Sequence, residues 1–278
     1  MADVANGSAS AATSERTPEL MLKGISKSFG AVQALKDVDF EVYAGEVVGL
    51  VGDNGAGKST LIKTIAGVNV PDTGQIYVAG QHVNISSPAD AVHHGIETVY
   101  QDLALCDNLD VVANLYLGRE DTAFRLGPLS PLTELEMERR TVEVLRQLDV
   151  KIPSVRSVVA TLSGGQRQSI AVAKTILRNA RVVQLDEPTA ALGVAQTRQV
   201  LNLIRRLREQ GLAVVVISHN LADVFEVVDR VIVMRLGRRV ATFDVKSTTP
   251  ERVIGAITGA EFGEVPENGD ASEVAQGA

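Results

Sequence analysis

The alternation of apolar and polar residues predicts several strands in the first hundred residues. Val38-Asp39-Phe40-Glu41-Val42 is apolar at every second position, which is the pattern of a strand with one buried face. Gln75–Val78 and His82–Ile85 are typical of the two arms of a hairpin joined by Ala79-Gly80-Gln81. The run from Val47 to Val51 is apolar almost throughout, so it predicts a buried strand.

Helical patterns predominate from about residue 87 to residue 157. Thr133-Glu134-Leu135-Glu136 fits a capping box at the start of one helix, whose apolar stripe would be formed by Val142, Leu145 and Leu148. After Leu162, helices and strands alternate again, at 166–178, 182–185, 195–210, 212–218 and 231–234. The chain therefore predicts an α/β core that carries an inserted helical segment.

A glycine-rich loop follows the buried strand that ends at Val51. Gly52-Asp53-Asn54-Gly55-Ala56-Gly57-Lys58-Ser59 fits the pattern G-x-x-x-x-G-K-[ST] and opens a helix predicted at Ser59–Ala66, which includes Thr60. Such glycines let backbone N–H groups turn toward phosphate oxygens, and the helix N-terminus adds positive potential. Lys58 would contact the β- and γ-phosphates, and the Ser59 hydroxyl would bind Mg²⁺. The alternative is an ordinary strand-to-helix turn, which does not require Lys and Ser after the last glycine.

Candidate catalytic residues follow two later apolar runs. Asp186 and Glu187 end the strand predicted at Val182–Leu185, and ligands of open parallel sheets bind at the carboxyl ends of strands. Asp186 would hold Mg²⁺, and Glu187 would accept a proton from the water that attacks the γ-phosphate. The alternative is a helix N-cap followed by a first-turn acid. His219 follows the next apolar run and would contact the γ-phosphate, although a single histidine is more often structural.

A second anion site is predicted where Leu162-Ser163-Gly164-Gly165-Gln166 precedes a helix. We refer to these five residues as the signature segment. Ser163, Gly164 and Gly165 would offer a hydroxyl and backbone amides to an anion at this helix N-terminus, with Gln166 beginning the helix. One chain thus carries two candidate phosphate sites.

These motifs together resemble the ATP-binding subunits of ABC transporters, over roughly Leu20 to Gly259. Gln101, in Val99-Tyr100-Gln101-Asp102, matches the Q-loop, and Ala190-Ala191-Leu192-Gly193 occupies the D-loop, where the wider family usually has Asp instead of Gly193. The resemblance implies that Gln101 is a ligand of Mg²⁺ and water. Phe29 matches an aromatic that stacks on adenine; packing in the core is the alternative.

The resemblance implies an α/β fold of the P-loop NTPase type, with a RecA-like core and an antiparallel β subdomain. The ATPase domain would span residues 19–260 with a helical subdomain at about 87–160, between a disordered leader at 1–18 and an acidic disordered tail at 261–278. In this family two subunits pair head to tail, so that each ATP lies between the glycine-rich loop of one, the P-loop at residues 52–59, and the signature segment of the other.

The substrate and the partners also come from the resemblance. Residues 99–120 look like those of the monosaccharide-importer branch, of the ribose, xylose and fructose type. That branch implies permease subunits in the membrane, a second ATP-binding subunit and, indirectly, an extracytoplasmic sugar-binding protein. The permease would dock beside Leu103–Leu117, leaving five apolar side chains partly exposed unless they close the subdomain's own core: Leu105, Leu109, Val112, Leu115 and Leu117.

Composition agrees with a subunit on the cytoplasmic face of the membrane. The chain has 278 residues, of which 45% are hydrophobic, and no apolar run approaches the length of about 20 residues that a membrane span needs. Residues 1–17 lack the basic start and apolar stretch of a signal peptide. Cys106 is the single cysteine, which excludes an intrachain disulfide and a cysteine-based zinc cluster.

Charge is unevenly distributed. Residues 261–278 contain five acids and no Lys or Arg, so the net charge of −7 leaves −2 for the rest of the chain. Two arginine clusters, at 205–208 and 235–239, lack interleaved aromatics, so we interpret them as solvated surface and expect no nucleic-acid partner.

The alternative function is that of a soluble ABC ATPase acting on a macromolecule. A P-loop kinase would not explain the signature segment or His219.

Overall fold

The computed structural model describes residues 16–120 and 133–260. Most of the predicted leader and the whole of the predicted acidic tail lie outside these residues. The strands are β1 (Leu20–Phe29), β2 (Val32–Val42), β3 (Val47–Val51), β4 (Thr73–Val78), β5 (Gln81–Val83), β6 (Ile96–Val99), β7 (Val182–Asp186), β8 (Ala213–Ile217), β9 (Arg230–Arg235) and β10 (Arg238–Asp244). The helices are α1 (Lys58–Ile65), α2 (Pro88–His93), α3 (Val111–Tyr116), α4 (Glu134–Gln147), α5 (Gly164–Leu177), α6 (Val194–Glu209), α7 (Leu221–Val227) and α8 (Pro250–Thr258).

Ten strands form two sheets. A four-stranded antiparallel sheet has the order β2-β1-β4-β5, and a six-stranded sheet has the order β10-β9-β3-β8-β7-β6. From β9 to β6 the larger sheet is parallel, and β10 pairs antiparallel with β9. Because parallel strands share one carboxyl edge, the residues that follow β3, β6, β7 and β8 meet at a single edge of the sheet.

Apolar layers cover both faces of the six-stranded sheet. In β3, Val48 and Leu50 pack in a cluster with residues of α1 and the antiparallel sheet, whereas Val47 and Val51 pack in a cluster with residues of α5 and α6. Helix α1, which begins at the P-loop, and helix α5, which begins at the signature segment, therefore belong to opposite layers. Among the described residues, no helix is long and apolar enough to cross a membrane.

The predicted strand patterns are confirmed. Val38, Phe40 and Val42 are buried in β2, while Asp39 between them is exposed. The predicted hairpin forms with Tyr77 opposite His82, although its turn is only Ala79-Gly80, since Gln81 already belongs to β5.

Two predictions about α4 are wrong. Thr133 precedes α4 but makes no side-chain capping bond, so the predicted capping box there does not form. Val142 is 49% exposed, and the buried stripe of α4 consists of Met137, Thr141, Val144 and Leu145 instead, followed by Leu148. The alternation of Val142, Leu145 and Leu148 every third residue drifts away from the 3.6-residue period of a helix, which explains the error.

The segment between residues 87 and 160 is not helical throughout. Strand β6 lies inside this range and pairs with β7 of the six-stranded sheet. Strand β6 ends at Val99, so Gln101 lies in the bend that follows the strand. The five apolar residues that the docking hypothesis expects to be partly exposed differ in burial. Val112 and Leu115 are buried, Leu105 and Leu109 are half-buried, and Leu117 is 41% exposed.

Candidate nucleotide-binding site

The P-loop fits only glycine at its first position. At Gly52 the backbone has φ 146°, and a Cβ there would lie 2.2 Å from the carbonyl oxygen of Met234. The loop therefore runs against the end of β9, and α1 begins at Lys58 on the far side of the loop. This arrangement places the N-terminus of α1 at the carboxyl edge of the sheet, where an anion is favoured.

Lys58 is bound by the loop that it belongs to. Its Nζ donates hydrogen bonds to the carbonyl oxygens of Gly52, at 2.6 Å, and Asp53, at 2.9 Å. Burial lowers the pKa of Lys58, while the negative charges of Glu187, Asp53 and Asp186 act in the opposite direction. The ammonium group of Lys58 thus lies among backbone carbonyl oxygens and acidic side chains. A phosphate and a metal cation together could replace its contacts with them.

A cleft of about 460 Å³ lies over the P-loop. Its lining includes P-loop residues from Asn54 to Ser59, together with Thr60, the start of β2 and the β9–β10 turn at Leu236-Gly237. Sequence analysis missed the β2 and turn residues, because only the fold brings them to the loop. Ser163, Gly164, Gly165 and Gln166 of the signature segment are not part of this lining.

Phe29 ends β1 and is 49% exposed, so it does not pack in the core. The Lys27 ammonium lies 5.6 Å from the centre of its ring, which is within the range of a cation–π contact. Phe29 is not among the residues that line the cleft. Stacking of this ring on adenine stays a prediction.

Glu187 and His219 contact each other at the carboxyl edge of the sheet. The Nδ1 atom of His219 lies 2.9 Å from Oε2 of Glu187, whose side chain is 19% exposed, whereas that of His219 is 76% exposed. The Glu187 N–H donates to the carbonyl oxygen of Ile217, the last residue of β8, at 2.9 Å. Neighbouring strands thus bring together the two residues that sequence analysis placed at this edge.

The alternative interpretation of Asp186-Glu187 as a helix start is wrong. Residues 187–191 form a turn, and α6 begins only at Val194. Glu187 itself has φ 49°, a conformation that is uncommon for residues other than glycine and is concentrated at functional sites. The Glu187 side chain is therefore held at the strand end by the turn and by β8, without a helix dipole.

Asp186 is partly buried at the end of β7, beside Glu187. Burial and, next, the negative charge of Glu187 raise its pKa, while Lys63 and Lys58 oppose the shift. No group of three or more His, Cys, Asp or Glu residues within 16–120 and 133–260 could hold a metal. One or two carboxylates plus substrate phosphates are the usual protein ligands of Mg²⁺, so Asp186 and the Ser59 hydroxyl fit that ion in the presence of a nucleotide.

A capping box forms at the signature segment, although the sequence analysis predicted one only at Thr133. Ser163 is the N-cap of α5: its Oγ accepts from the Gln166 N–H at 3.3 Å, and the Gln166 Oε1 accepts from the Ser163 N–H at 3.0 Å. Gly164 and Gly165 form the first turn of the helix rather than preceding it. Ser163, Gly164 and Gly165 thus lie at the N-terminus of α5, where an anion is stabilised.

A buried ion pair at the other end of α5 was not anticipated. Arg178, which caps α5, lies 3.1 Å from Glu97 of β6, and the two side chains are only 22% and 8% exposed. The pair joins the signature helix to the strand that leads to Gln101. The glutamate within the short strand Ile96–Val99 could have indicated an ion pair from the sequence, because buried charges are generally paired.

Comparisons with known proteins show which family the chain resembles along its length. The sequence profile of the family described as "ABC transporter" matches residues 35–190. The chain is 43% identical over 247 residues to the fructose import ATP-binding protein FrcA of Rhizobium meliloti, covering 88% of this chain and 95% of that protein. It is 42% identical over 246 residues to the xylose/arabinose import ATP-binding protein XylG of Sulfolobus acidocaldarius, covering 88% and 96%.

A longer relative and a solved structure extend the comparison. The chain is 36% identical to the ribose import ATP-binding protein RbsA of Caldanaerobacter subterraneus; the match covers 89% of this chain but 49% of that protein. The crystal structure of an ATP-binding cassette of an ABC transporter in its ADP conformation superposes with a TM-score of 0.74 at 25% identity, covering 87% of this chain and 95% of that one.

Proposed function

The chain belongs to the family of ABC transporter ATP-binding proteins, and from this premise we propose that it is the ATP-hydrolysing subunit of a monosaccharide importer. The contact between Glu187 and His219 beside the P-loop carries the hydrolytic part of the proposal. Relatives named for fructose import and for xylose and arabinose import, each matched over most of its length, support the substrate class.

In the proposed mechanism, the P-loop binds the phosphates of ATP. Lys58 exchanges its two loop carbonyls for the β- and γ-phosphate oxygens, while the N–H groups at the start of α1 face the same anion. Mg²⁺, held by the Ser59 hydroxyl and by Asp186, would neutralise phosphate charge when bound. The assignment of Asp186 is supported by its raised pKa, because a cation beside it removes the cost of ionising a buried acid next to Glu187.

Glu187 orients the attacking water and accepts its proton. The carboxylate is mostly buried, and its position is fixed by the bond of its own backbone N–H to Ile217. His219 contacts the same carboxylate at 2.9 Å and is exposed enough to reach the γ-phosphate of a bound nucleotide. Gln101, in the exposed bend after β6, would be a further ligand of the metal and the water.

A second copy of the cassette completes each ATP site in this proposal. Ser163, Gly164 and Gly165 lie outside the cleft over the P-loop of their own chain, so their anion-binding helix end is available to a partner. A second copy of this chain would supply that partner. Gly193 supplies no carboxylate at the D-loop; its N–H donates to the Gln196 side chain at 3.2 Å.

The permease would dock on the helical segment that begins after β6. We propose that α3 and α4 belong to this subdomain, and that the subunit is held at the cytoplasmic face of the membrane by the permease. The 41% exposure of Leu117, beside buried Val112 and Leu115, supports a docking surface centred on the end of α3.

Substitution Glu187→Gln tests the hydrolytic assignment. We expect steady-state ATP hydrolysis to be lost while ATP binding remains, and the variant to accumulate as an ATP-bound dimer in size-exclusion chromatography. Hydrolysis at a near-native rate would contradict the role given to Glu187.

The substrate class is tested separately, by measuring uptake of labelled fructose, ribose and xylose in cells with and without this chain. Unchanged uptake of all three sugars would contradict the monosaccharide assignment.

A further inference from the structure

A hydrogen bond outside the nucleotide cleft joins the two loops that carry Glu187 and His219. The Thr189 hydroxyl donates to Oδ2 of Asp223 at 2.7 Å. Thr189 lies in the turn that follows β7, two residues after Glu187. Asp223 lies in the first turn of α7, four residues after His219. The bond therefore spans the same two loops as the contact between Glu187 and His219.

Asp223 belongs to a helix start that is capped and packed. Asn220, directly after His219, is the N-cap of α7. Its Oδ1 accepts from the Ala222 N–H at 3.1 Å, and Val224 on the same helix is buried. The Asp223 carboxylate is thus presented to the turn after β7 by a helix that is held in place by its cap and by the core.

The turn that contains Thr189 has an unusual backbone. Glu187 has φ 49° and Ala191 has φ 58°, although neither residue is glycine. Such conformations persist only where surrounding contacts fix them, and they are concentrated at functional sites. A bond of 2.7 Å from a hydroxyl to a carboxylate is charge-assisted and about twice as strong as a bond between neutral groups, so it is one of the contacts that hold this turn.

We propose that the bond between Thr189 and Asp223 is a positioning contact for ATP hydrolysis. It ties the turn after β7 to α7, and it thereby keeps the Glu187 carboxylate against His219 and within reach of the attacking water. Neither Thr189 nor Asp223 lines the cleft over the P-loop, so the bond acts through Glu187 and not on the nucleotide.

The expected consequence is a loss of turnover without a loss of binding. A displacement of about 1 Å in a reacting group can cost about a hundred-fold in rate, whereas the groups that bind the phosphates lie on the P-loop. This part of the inference rests on the proposed function, because it assumes that Glu187 is the base.

Substitution Thr189→Val tests the proposal, because valine keeps the branched shape and removes the hydroxyl. We expect kcat for ATP hydrolysis to fall about ten-fold, the lower end of the effect of one hydrogen bond to a charged group, while the Kd of ATP changes less than about two-fold. Thr189→Ser keeps the hydroxyl and should recover most of the lost kcat. An unchanged kcat in Thr189→Val, or equal losses in the two variants, would overturn the proposal.

A double-mutant cycle tests the partner. Asp223→Ala should lower kcat to a similar extent, and adding Thr189→Val to it should cost nothing more, because the two residues act through one bond. Additive losses would overturn the assignment of the effect to this bond.

Ser86→Ala is the matched control. The Ser86 hydroxyl also donates to a carboxylate, Oδ2 of Asp90 at 2.8 Å, in a segment that contains no residue of the proposed site. We expect the kcat of this variant to equal that of the native protein. A fall as large as that of Thr189→Val would show that any lost hydroxyl-to-carboxylate bond slows the enzyme, and would overturn the positioning role.

A measurement without nucleotide separates the positioning contact from the proposed function. In protein that contains isotopically labelled histidine, the Nδ1 resonance of His219 reports the contact with Glu187, because a ring nitrogen responds to the hydrogen bond that it makes. We expect this resonance to move in Thr189→Val and to keep its native position in Ser86→Ala. An unmoved resonance in Thr189→Val would overturn the positioning contact even if Glu187→Gln abolishes hydrolysis. A moved resonance together with near-native hydrolysis by Glu187→Gln would support the contact, but would overturn the proposed role of Glu187 and the effect on kcat.

Discussion

Substitution Glu97→Gln tests whether the ion pair between β6 and α5 stabilises the fold. The substitution keeps the shape of the side chain but leaves the Arg178 guanidinium, with Lys174 one turn earlier on α5, without a negative partner. Burial and the charge of Arg178 already lower the pKa of Lys174, which Glu97 counteracts. Two positive charges would then remain at a poorly solvated helix end.

The expected loss follows from the exposure of the two partners. Breaking a buried pair by removing one member costs 3–5 kcal/mol, and we expect about 3 kcal/mol here because Arg178 keeps 22% of its side-chain surface exposed. In a protein of this size, each kcal/mol shifts the melting temperature by about 2–4 °C, so Tm should fall by about 6–12 °C.

Thermal and urea unfolding, followed by circular dichroism, provide the assay, with Glu136→Gln as the matched control. Glu136 and Arg140 also lie 3.1 Å apart, but their side chains are 45% and 55% exposed, so the control should lose no more than about 0.5 kcal/mol. Replacing both Glu97 and Arg178 by apolar residues of similar volume should restore most of the stability. If the two single variants lose equal stability, the argument from burial is refuted.

Three further predictions concern the nucleotide site. Lys58→Ala should weaken nucleotide binding by about 1.5–3 kcal/mol, the value of a hydrogen bond to a charged group, and an unchanged Kd in calorimetry would contradict the P-loop assignment. Asp186→Asn should raise the Tm of the nucleotide-free protein at pH 7. The folded-state pKa of Asp186 is raised, so the native protein loses stability as the pH rises through that pKa, and the substitution removes this loss. The gain in Tm should vanish below the usual aspartate pKa of about 3.9, where the carboxyl is protonated in both the folded and the unfolded state. A gain that persists at pH 3 would have another cause. Cysteine at Leu117, in a chain lacking Cys106, should crosslink to the permease in membranes, whereas cysteine at exposed Leu135 should not; crosslinks at neither position in a transport-competent complex would remove α3 from the interface.

Residues at strand ends were the most predictable part of the site. The apolar runs before Asp186 and His219 identify central parallel strands, and the rule that ligands lie at the carboxyl edge places their side chains near the P-loop. The contact between Glu187 and His219 follows from this placement. The sequence does not contain the information that β2 and the β9–β10 turn line the same cleft, since they approach the loop only through the packing of two sheets.

Local signals were less reliable than strand order. Thr133 and Ser163 are each the first residue of a capping-box pattern, but only the box that begins at Ser163 forms. The sequence pattern also does not show that the hydrogen bonding of β6 to β7 stops at Val99, two residues before Gln101. Propensities describe a residue with its neighbours along the chain, whereas these outcomes depend on contacts with distant segments.

The bonds from Lys58 to its own loop have a consequence for which anions the site accepts. An entering ligand must displace the carbonyl oxygens of Gly52 and Asp53 from the ammonium group, so occupation is an exchange of partners rather than the filling of an open position. A polyphosphate has enough oxygens to replace both bonds and also to contact the N–H groups of α1, whereas chloride makes only one ionic contact at a time. The bonds of Lys58 within its own loop therefore favour a polyphosphate over a small anion such as chloride.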